Sequence, residues 1–464
     1  MTTAASAPYD LLVSDVTAWT GGRWRERVDI AVDRGRIARI APHGAEPAAA
    51  RRTVHGRGAH VVPGIVNTHT HLNPALLRGT AEGRPLLSWL GEVGEATAAL
   101  TPEQAYTAAA CAALEALRTG TTTIVEHMWP HPSRAVHEAV VLALEEAGVR
   151  GVVCVGIADR ADPTRKWGMD PRLIRPVEEV LDHVLELADR TRGGPLRVGL
   201  AVPNPRCLTP EGMARVRAFA DEHRMPVSIH LLETATDEEM CLERTGRGAV
   251  RLLQESGLLW ERLLAVHCVR LDAAGREALA GAGAAVSYNP LSNMRLGSGV
   301  APVPELLEAG VPVGIGVDGA ASNDRQDALE ALRIGSYLQR VAHRRADLLG
   351  FPQMMDMAAD GACRALGLEG APGGLAEGGP ADLLVLRFDA DIGCVPVADP
   401  GAVLLTTGSW RVVETVVADG RVVLDGGAHP VLDERELIAR AQAVAPRAVA
   451  PPPSAPGRAA AARP

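Results

Sequence analysis

Pro63-Gly64-Ile65-Val66-Asn67-Thr68-His69-Thr70-His71 is the stretch of sequence that indicates the fold. Its apolar part leads directly into two histidines at alternate positions. Because residues i and i+2 of a β-strand point to the same face, His69 and His71 can direct both imidazoles at one point. Two neutral imidazoles at the end of a strand make half of a zinc-type site. Without partners later in the chain, the same pair would be interpreted as two surface histidines.

Partners follow at the ends of three apolar runs that are typical of buried parallel strands. The runs are residues 226–229, 263–266 and 311–317, which end in His230, His267 and Asp318, and Glu233 follows His230 by three positions. Helical stretches, residues 210–222 and 246–253, separate them. This alternation, with reactive side chains at the carboxyl ends of strands, predicts a (β/α)8 barrel of the TIM type, whose active site lies on that face. Each residue alone could be a buried core residue, but four groups in the same structural position favour one shared site.

Six motifs make the chain similar to a known family. They are NTHTH at 67–71, GTTT at 120–123, HLLE at 230–233, AVHCVRLD at 265–272, NPLSNMRLGSG at 289–299 and VDGAASND at 317–324. In these motifs, and over residues 9–427, the chain resembles the amidohydrolase superfamily, in its cytosine deaminase-like or chlorohydrolase branch. Relatives in that branch include adenosylhomocysteine, nucleobase and triazine deaminases. The resemblance implies a metal-dependent hydrolase built on the predicted barrel.

The resemblance also implies roles for individual residues. By it, the metal ligands are His69, His71, His230 and Asp318. Glu233 and His267 then act on the substrate, and Asp318 shares in catalysis. The alternative for Glu233 is a solvated carboxylate, because it begins an acidic cluster that continues over residues 237–239.

The number of metal ions is predicted from a missing residue. Lys166 is the one lysine in the chain. Two-metal members of the superfamily generally bridge their ions with a carboxylated lysine at the end of the fourth barrel strand. That strand corresponds here to residues 196–203, which contain no lysine. We therefore expect one divalent metal per chain, Zn²⁺ first and Fe²⁺ as the alternative.

The composition is that of a globular enzyme. Hydrophobic residues make up 47% of the 464, enough for the core of a barrel. A net charge of −9 gives no electrostatic reason to expect nucleic-acid or membrane partners. No apolar stretch approaches the roughly 20 residues of a membrane span or resembles a signal peptide. The seven cysteines show no disulfide-like spacing. We expect a cytoplasmic homo-oligomer whose partner is a small-molecule substrate.

The barrel is predicted to be flanked by β-rich segments at both ends of the chain. Residues 1–62 and 372–430 are expected to form one small β-sandwich together, with Ala418-Asp419-Gly420 as a hairpin turn. Residues 63–371 form the catalytic barrel and residues 431–445 a C-terminal helix. Residues 446–464 lack the apolar periodicity needed to fold and are predicted to be a disordered tail.

The ligand set predicts the chemistry. Three neutral imidazoles and one carboxylate leave an open position for water, whose pKa a zinc ion lowers to about 7. Attack of this metal-bound hydroxide on a ring carbon that carries an amino group requires a proton on the neighbouring ring nitrogen. Glu233 is placed to deliver that proton, Asp318 to take the proton of the water, and His267 to polarise the attacking oxygen.

We therefore expect a metal-dependent aminohydrolase that deaminates an amino-substituted N-heteroaromatic ring, either a purine-like base or a nucleoside. One alternative is a hydrolytic dechlorinase or cyclic-amide hydrolase acting on a triazine-like ring. A second alternative, from another class, is a catalytically inactive structural homologue, which the intact ligand set argues against.

Five residues are predicted to contact the substrate. Trp89 and Trp129 can stack on a flat heterocycle, although either can also be a core residue. The other three are His131, Asn204 and Asn323, which lie in segments after predicted strands.

Two departures from the nucleoside-type deaminases bear on the substrate. Leu87 and Ser88 stand where those enzymes usually carry acidic residues that can hold ribose, and Asn204 replaces a histidine. The sequence thus predicts a preference for an amino-substituted purine base over ordinary adenosine.

Overall fold

The computed structural model describes residues 9–45, 49–161, 170–323 and 325–446. The first elements are five strands: β1 (Tyr9–Thr20), β2 (Arg23–Asp33), β3 (Arg36–Pro42), β4 (Ala50–His55) and β5 (His60–Pro63). β1 is the centre of this group. It pairs antiparallel with β2, and parallel with β4 along its first half and β5 along its second half. Irregular register in β1 between Val13 and Ala18 separates the two halves.

Eight parallel strands follow, and nearly all of their residues are buried. They are β6 (Ile65–Thr70), β7 (Thr121–His127), β8 (Arg150–Gly156), β9 (Leu196–Val202), β10 (Val227–Leu231), β11 (Leu263–His267), β12 (Ala285–Tyr288) and β13 (Val313–Ile315). Each pairs with the next along the chain, from β6 to β13. Side chains on both faces of these strands are buried, because helices cover one face and the barrel interior the other.

Hydrogen bonds from side chains and backbone close the barrel between its first and last strands. The hydroxyl of Thr68 in β6 donates to the carbonyl oxygen of Ile315 in β13, at 2.9 Å. Just beyond β13, the backbone N–H of Asp318 donates to the carbonyl oxygen of His69, at 2.9 Å. Closure therefore places Asp318 directly beside the two histidines of β6.

Three strands near the other end of the chain complete a second sheet: β14 (Leu383–Leu386), β15 (Val413–Ala418) and β16 (Arg421–Asp425). The order in this eight-stranded mixed sheet is β16-β15-β14-β5-β1-β2-β3, with β4 beside β1. Asp419 and Gly420 form the β15–β16 turn with positive φ angles of 50° and 73°, as a two-residue hairpin turn requires. The predicted fold class is confirmed: a (β/α)8 barrel carries a small β domain built from both ends of the chain.

Within the part of the chain that the structure describes, fourteen α-helices surround the barrel and cover its loops. They are α1 (Leu86–Ala98), α2 (Pro102–Arg118), α3 (Arg134–Ala147), α4 (Val177–Arg190), α5 (Pro210–Glu222), α6 (Ala235–Thr245), α7 (Ala249–Glu255), α8 (Ala273–Ala282), α9 (Pro290–Arg295), α10 (Val303–Glu308), α11 (Ala328–His343), α12 (Phe351–Ala359), α13 (Pro400–Thr407) and α14 (Glu434–Val444). Capping fixes several of their starts. For α2, the Thr101 hydroxyl accepts from the N–H of Gln104, whose side chain accepts from the N–H of Thr101.

Two parts of the chain named in the sequence analysis lie outside the described residues. They are Lys166 and the predicted tail beyond Pro446. Among the helices that are described, none is both long enough and apolar enough to cross a bilayer.

Candidate active site

β6 delivers His69 and His71 to the carboxyl-terminal mouth of the barrel, where both imidazoles are buried. The Nε2 atoms of His71 and His230 lie 3.3 Å apart. The Nδ1 of His71 donates to the carbonyl oxygen of His127, at 2.6 Å, and the Nδ1 of His230 donates to that of Pro203, at 2.8 Å. Because each Nδ1 carries the proton, each Nε2 presents a lone pair to the mouth of the barrel.

His69 lies between these two imidazoles and is fully buried. Neither of its ring nitrogens has a hydrogen-bond partner among the described residues. Burial lowers its pKa to about 4, so the ring is neutral at pH 7. Buried polar atoms are almost always paired, and a metal ion is the partner that this nitrogen set fits.

Asp318 follows β13 and approaches the histidines from the other side. Its Oδ1 lies 3.5 Å from the Nε2 of His69 and 3.5 Å from that of His71. Although burial acts to raise its pKa, the neighbouring imidazoles hold that pKa well below the ordinary value, and the group is a carboxylate. Its backbone is left-handed, with φ of 63°, a conformation that functional sites often retain despite strain.

Close packing around Asp318 requires the glycine that follows it. A Cβ at Gly319 would lie 2.9 Å from the Cβ of His71. The Asp-Gly pair can therefore bring the carboxylate beside the histidines only because position 319 has no side chain.

Two overlapping groups could each hold a metal ion. One is His69, His71 and His230, and the other is His69, His267 and Asp318. In each, the ligand atoms lie within 4.8 Å of one another. We call the union of these five residues the central group. The three imidazoles of the first group, together with the carboxylate of Asp318, fit a divalent ion of the zinc type.

Glu233 lies at the edge of the central group, in the short connection between β10 and α6. Its Oε2 is 3.6 Å from the Nε2 of His267, and its Oε1 accepts from the hydroxyl of Ser298 at 3.1 Å. Burial, reinforced by the charges of Asp237 and Asp318, raises its pKa well above the ordinary value. The carboxyl therefore holds its proton to higher pH than an ordinary glutamate does, as is common for acids in functional sites.

His267 ends β11 with a left-handed backbone, φ 72°. The side-chain amide of Asn293 pairs with its Nδ1 at 3.0 Å and fixes the ring. Its Nε2 has no hydrogen-bond partner among the described residues and lies 4.0 Å from the Oδ2 of Asp318. The ring is thus oriented toward both carboxyl groups of the site.

The central group forms the floor of a cavity with an empty volume of about 920 Å³, part of it open to solvent. Its walls come from α1, from α6 and from the connections that follow β7, β9, β10, β12 and β13. The wall residues include Leu86, Trp89, Leu90, Trp129, Pro130, Asn204, Arg206, Leu232, Asp237, Leu296 and Ser322. Apolar side chains dominate, as is usual in pockets for small organic ligands.

Three of the five predicted substrate contacts line this cavity: Trp89, Trp129 and Asn204. The indole N–H of Trp89 donates to the carbonyl oxygen of Ala321 at 3.0 Å, which fixes its ring. The ring of Trp129 stands edge-on to that of His71, with centroids 6.0 Å apart.

The other two predicted contacts are held in loops outside the described lining of the cavity. His131 Nδ1 accepts from the backbone N–H of Ser133 at 3.0 Å. Asn323 donates to the carbonyl oxygen of Val317 and accepts from the N–H of Arg325. Leu87 and Ser88, the positions that depart from the nucleoside-type deaminases, are also absent from that described lining.

Three residues that sequence reasoning did not select also belong to the site. His127, at the end of β7, packs its ring 4.4 Å from that of His230, centroid to centroid. Its position at a strand end was the available signal. Arg206, which is buried, and Asp237, which is partly exposed, line the cavity as an ion pair with a 3.0 Å contact, and no sequence periodicity marks either.

A second set of buried histidines lies outside the cavity, and we call it the outer histidine group: His131, His137 and His183. The rings of His137 and His183 are stacked, with centroids 5.5 Å apart. His137 Nε2 donates to the carbonyl oxygen of Trp129 at 2.9 Å. Burial lowers the pKa of His137 to about 3. Among the described residues, this group does not bring three ligand atoms together as the central group does.

Comparison with known proteins gives consistent results for family and fold. The model of the amidohydrolase family matches residues 60–423. A 5-methylthioadenosine/S-adenosylhomocysteine deaminase of Desulforudis audaxviator is 34% identical over 91% of this chain and 95% of its own. A 5'-deoxyadenosine deaminase of Methanothermobacter thermautotrophicus is 33% identical, over 90% of this chain and 94% of its own.

Solved structures show the same architecture. An adenosine deaminase from Xanthomonas campestris with bound zinc superposes with a TM-score of 0.85 at 29% identity, over 94% of this chain and 98% of its own. The atrazine chlorohydrolase of Arthrobacter aurescens TC1, complexed with zinc, gives a TM-score of 0.87 at 26% identity, over 94% of this chain and 100% of its own.

Proposed function

This chain belongs to the amidohydrolase family, and we propose that it removes the amino group of a purine-like base or nucleoside by hydrolysis, with release of ammonia. Its family and its deaminase relatives make it a hydrolase of carbon–nitrogen bonds other than peptide bonds. The observation that carries the proposal is the buried Glu233 carboxyl, 3.6 Å from His267 of the central group, in a cavity with aromatic walls.

His69, His71, His230 and Asp318 would hold one divalent ion, Zn²⁺ in preference to Fe²⁺. The unpartnered nitrogens of buried His69 and the lone pairs of His71 and His230 support this assignment. When bound, the ion supplies a Lewis acid that lowers the pKa of water and so makes it a nucleophile near neutral pH.

Glu233 serves as the general acid. Attack on an aromatic ring carbon is unfavourable until the neighbouring ring nitrogen accepts a proton, because the negative charge would otherwise collect on that nitrogen. Burial raises the pKa of the Glu233 carboxyl well above its ordinary value, which favours the protonated form that donates this proton. The hydrogen bond from Ser298 to its Oε1 leaves its Oε2 as the oxygen that faces the site.

Asp318 and His267 handle the water and the leaving group. Asp318, a carboxylate near neutral pH, accepts the proton that the attacking water loses and passes it to the amino group, which departs as ammonia. His267, fixed by Asn293, holds the attacking oxygen in line with the ring carbon. The second proton of the water returns to Glu233 as the carbonyl forms. The net reaction consumes one water, replaces the amino group with a carbonyl and releases one ammonia, and both carboxyl groups end in their starting protonation states.

The walls of the cavity support a flat, amino-substituted heterocycle. Trp89 and Trp129 present aromatic surface, and Leu86, Leu90 and Leu296 add apolar contacts. The relatives are named as deaminases of purine nucleosides, and this supports a nucleoside as the substrate. Of the two departures that predicted a preference for a free base, Asn204 reaches the described lining, whereas the Leu87-Ser88 pair does not. Discrimination between base and nucleoside therefore rests on Asn204.

Ammonia release tests the proposal. Protein loaded with Zn²⁺ is incubated with adenosine, 5'-deoxyadenosine, adenine, an aminotriazine and a chlorotriazine, and ammonia, chloride and the carbonyl product are measured together. We expect equimolar ammonia and product from at least one purine, and release that is about 10²–10⁴-fold slower from Glu233→Gln protein of equal metal content. Chloride released from a chlorotriazine, without ammonia from any purine, would instead support the dechlorinase.

The same panel separates base from nucleoside through one substitution. Asn204→His restores the residue type of the nucleoside-type deaminases. We expect it to raise kcat/KM for adenosine relative to adenine by about tenfold, roughly the worth of one hydrogen bond to a hydroxyl. An unchanged ratio would remove Asn204 from substrate recognition.

We also propose a homo-oligomer in a reducing cytoplasm. All seven cysteines are free thiols, which suits a reducing compartment. Several large apolar side chains remain exposed, among them Trp410, Ile438 and Val341, and an interface between copies would cover such surface. Light scattering of the purified protein gives the number of chains directly.

A further inference from the structure

Arg206 is a buried cation with unused hydrogen-bonding capacity. It lies in the 3-10 turn Pro205–Cys207 after β9, and its side chain is 2% exposed. A guanidinium offers five N–H donors. The one hydrogen bond that Arg206 makes to described residues runs from Nη1 to the Oδ1 of Asp237. Its Nε is buried without a partner among those residues.

Asp237 is fixed independently of Arg206. Its Oδ2 accepts from the backbone N–H of Thr234 at 2.8 Å and from the Thr234 hydroxyl at 3.1 Å, in the capping arrangement that starts α6. Asp237 therefore holds the guanidinium from one side, with its Oδ2 already engaged. The remaining donors of Arg206 lie at a cavity wall that also includes Asp237, Cys241 and Ala249.

A purely structural role leaves this arrangement unexplained. A buried guanidinium with unpaired donors carries a free-energy cost that a protein normally removes with further carbonyl or carboxylate partners. Arg206 is the one arginine or lysine in the described lining of the cavity. Arginine forms two parallel hydrogen bonds with a carboxylate, or with a carbonyl next to a ring nitrogen.

We propose that Arg206 determines specificity by donating hydrogen bonds to an acceptor oxygen of the substrate, at the α6 side of the cavity. The oxygen belongs either to a carbonyl on the heterocycle or to a carboxylate on its substituent. This inference rests on the proposed deamination, because it assigns the part of the substrate that lies away from the amino group under attack.

Two matched pairs of compounds distinguish the sources of that oxygen. Adenine and 2-oxoadenine differ by a ring carbonyl, whereas 5'-deoxyadenosine and adenosine-5'-carboxylic acid differ by a carboxylate in place of a methyl group. We expect the metal-loaded enzyme to prefer the acceptor-bearing member of one pair. In Arg206→Met protein that preference should fall by about 10- to 100-fold in kcat/KM, chiefly through KM.

Two further variants sharpen the test. Arg206→Lys keeps the charge beside Asp237 but cannot form two parallel hydrogen bonds, so it should lose part of the same preference. If Arg206→Met does not fold, Arg206→Lys provides the test. Arg150→Met is the matched control. It removes a largely buried ion pair with Asp382, between barrel and β domain, and should leave the preference unchanged.

Binding separates this inference from the proposed function. Equilibrium dialysis of the four compounds with Glu233→Gln protein, with and without Arg206→Met, should show the same fold-change in Kd without turnover. If no compound is deaminated but the Kd preference depends on Arg206, the proposed function fails and the inference stands. If Arg206→Met and Arg206→Lys weaken both members of each pair equally, Arg206 does not recognise the oxygen and the inference is overturned.

Discussion

The central group and the outer histidine group both contain buried imidazoles, yet they differ in whether the ring nitrogens converge on one point and whether a buried carboxylate lies beside them. The histidines of the central group end parallel strands, so the barrel directs their ring nitrogens toward a common point beside Asp318. Those of the outer group stand on α3, α4 and a loop, and two of the rings stack face to face. The acidic side chain that approaches the outer group, Glu186, is 61% exposed. Burial and unpartnered nitrogens therefore do not define a metal site; convergence with a buried carboxylate does.

The largest expected effect on metal content and turnover comes from substitutions in the central group itself. His69→Ala and His230→Ala should lose the metal and reduce turnover to the background rate, because each removes a ligand that neighbouring side chains cannot replace. Elemental analysis of the folded protein measures the metal per chain.

The outer group supplies the control for that experiment. His183→Ala removes an equally buried imidazole and should keep about one metal per chain and normal turnover. Stoichiometric metal in active His69→Ala protein would contradict the assigned ligands, and two equivalents that are both required for activity would contradict a single ion.

The next largest effect is expected from replacing the proposed general acid, Glu233, while the proposed metal ligands stay in place. Glu233→Gln should keep the metal and the fold but lower kcat by about 10²–10⁴-fold, the usual contribution of a general acid–base group. Glu239→Gln, an exposed member of the same acidic cluster, is the matched control and should retain kcat. Near-normal kcat in Glu233→Gln protein would make Glu233 an ordinary member of that cluster.

A smaller effect concerns the side chain that orients Glu233. Ser298→Ala removes the 3.1 Å hydrogen bond to Oε1 and should lower kcat by about 3- to 10-fold, the worth of one hydrogen bond. Because this bond lowers the pKa of Glu233, its loss raises that pKa further. The alkaline limb of the kcat/KM profile, where Glu233 loses its proton, should therefore move to higher pH. A lower kcat with an unmoved limb would assign Ser298 to packing alone.

The smallest effect belongs to the outer histidine group and changes stability rather than activity. The pKa of His137 is about 3 in the folded protein, against about 6.5 in an unfolded chain. The unfolded state therefore binds more protons below pH 6.5, and stability falls as the pH falls from 6.5 toward 3. This one group accounts for about 2 kcal/mol of the loss between neutral pH and pH 5.

His137→Gln removes that titration and should flatten the acid limb of the unfolding free energy, as measured by denaturant titration at pH 5 and pH 7.5. An acid limb as steep as that of the unmodified protein would show that His137 does not titrate on unfolding.

The strand-borne part of the site could be predicted from sequence for a physical reason. A buried parallel strand is a short apolar run, and its last residues must lie at the mouth of a barrel, so His69, His230, His267 and Asp318 were identifiable as neighbours. The two-residue period of a strand then fixed the direction of His71.

The loop-borne part followed less well from sequence. Residues after β7, β9 and β13 are positioned by tertiary contacts that leave no period in the sequence. Trp129 and Asn204 reach the described lining of the cavity, whereas His131 and Asn323 bond within their own loops.

The acidic cluster contains a sequence signal for the start of α6. Asp237 entered the sequence analysis only as part of the acidic cluster behind the alternative for Glu233, but it caps α6 through Thr234 and pairs with Arg206. A threonine followed three positions later by an acidic residue is a known mark of a helix start.

The pairing of β5 with β14 has a consequence for the order in which this protein folds. Pro63 pairs with Leu383 and His60 with Leu386, so one edge of β5 has no partner until most of the chain has been synthesised. Contacts at such sequence separation form slowly, and an unpaired strand edge is prone to aggregation. Only Gly64 separates β5 from β6, and its N–H donates to the carbonyl oxygen of Asp382 at 2.9 Å. We therefore expect the strand that carries His69 and His71 to gain this anchor at its base only after β14 has been synthesised, which ties the assembly of the central group to completion of the β domain.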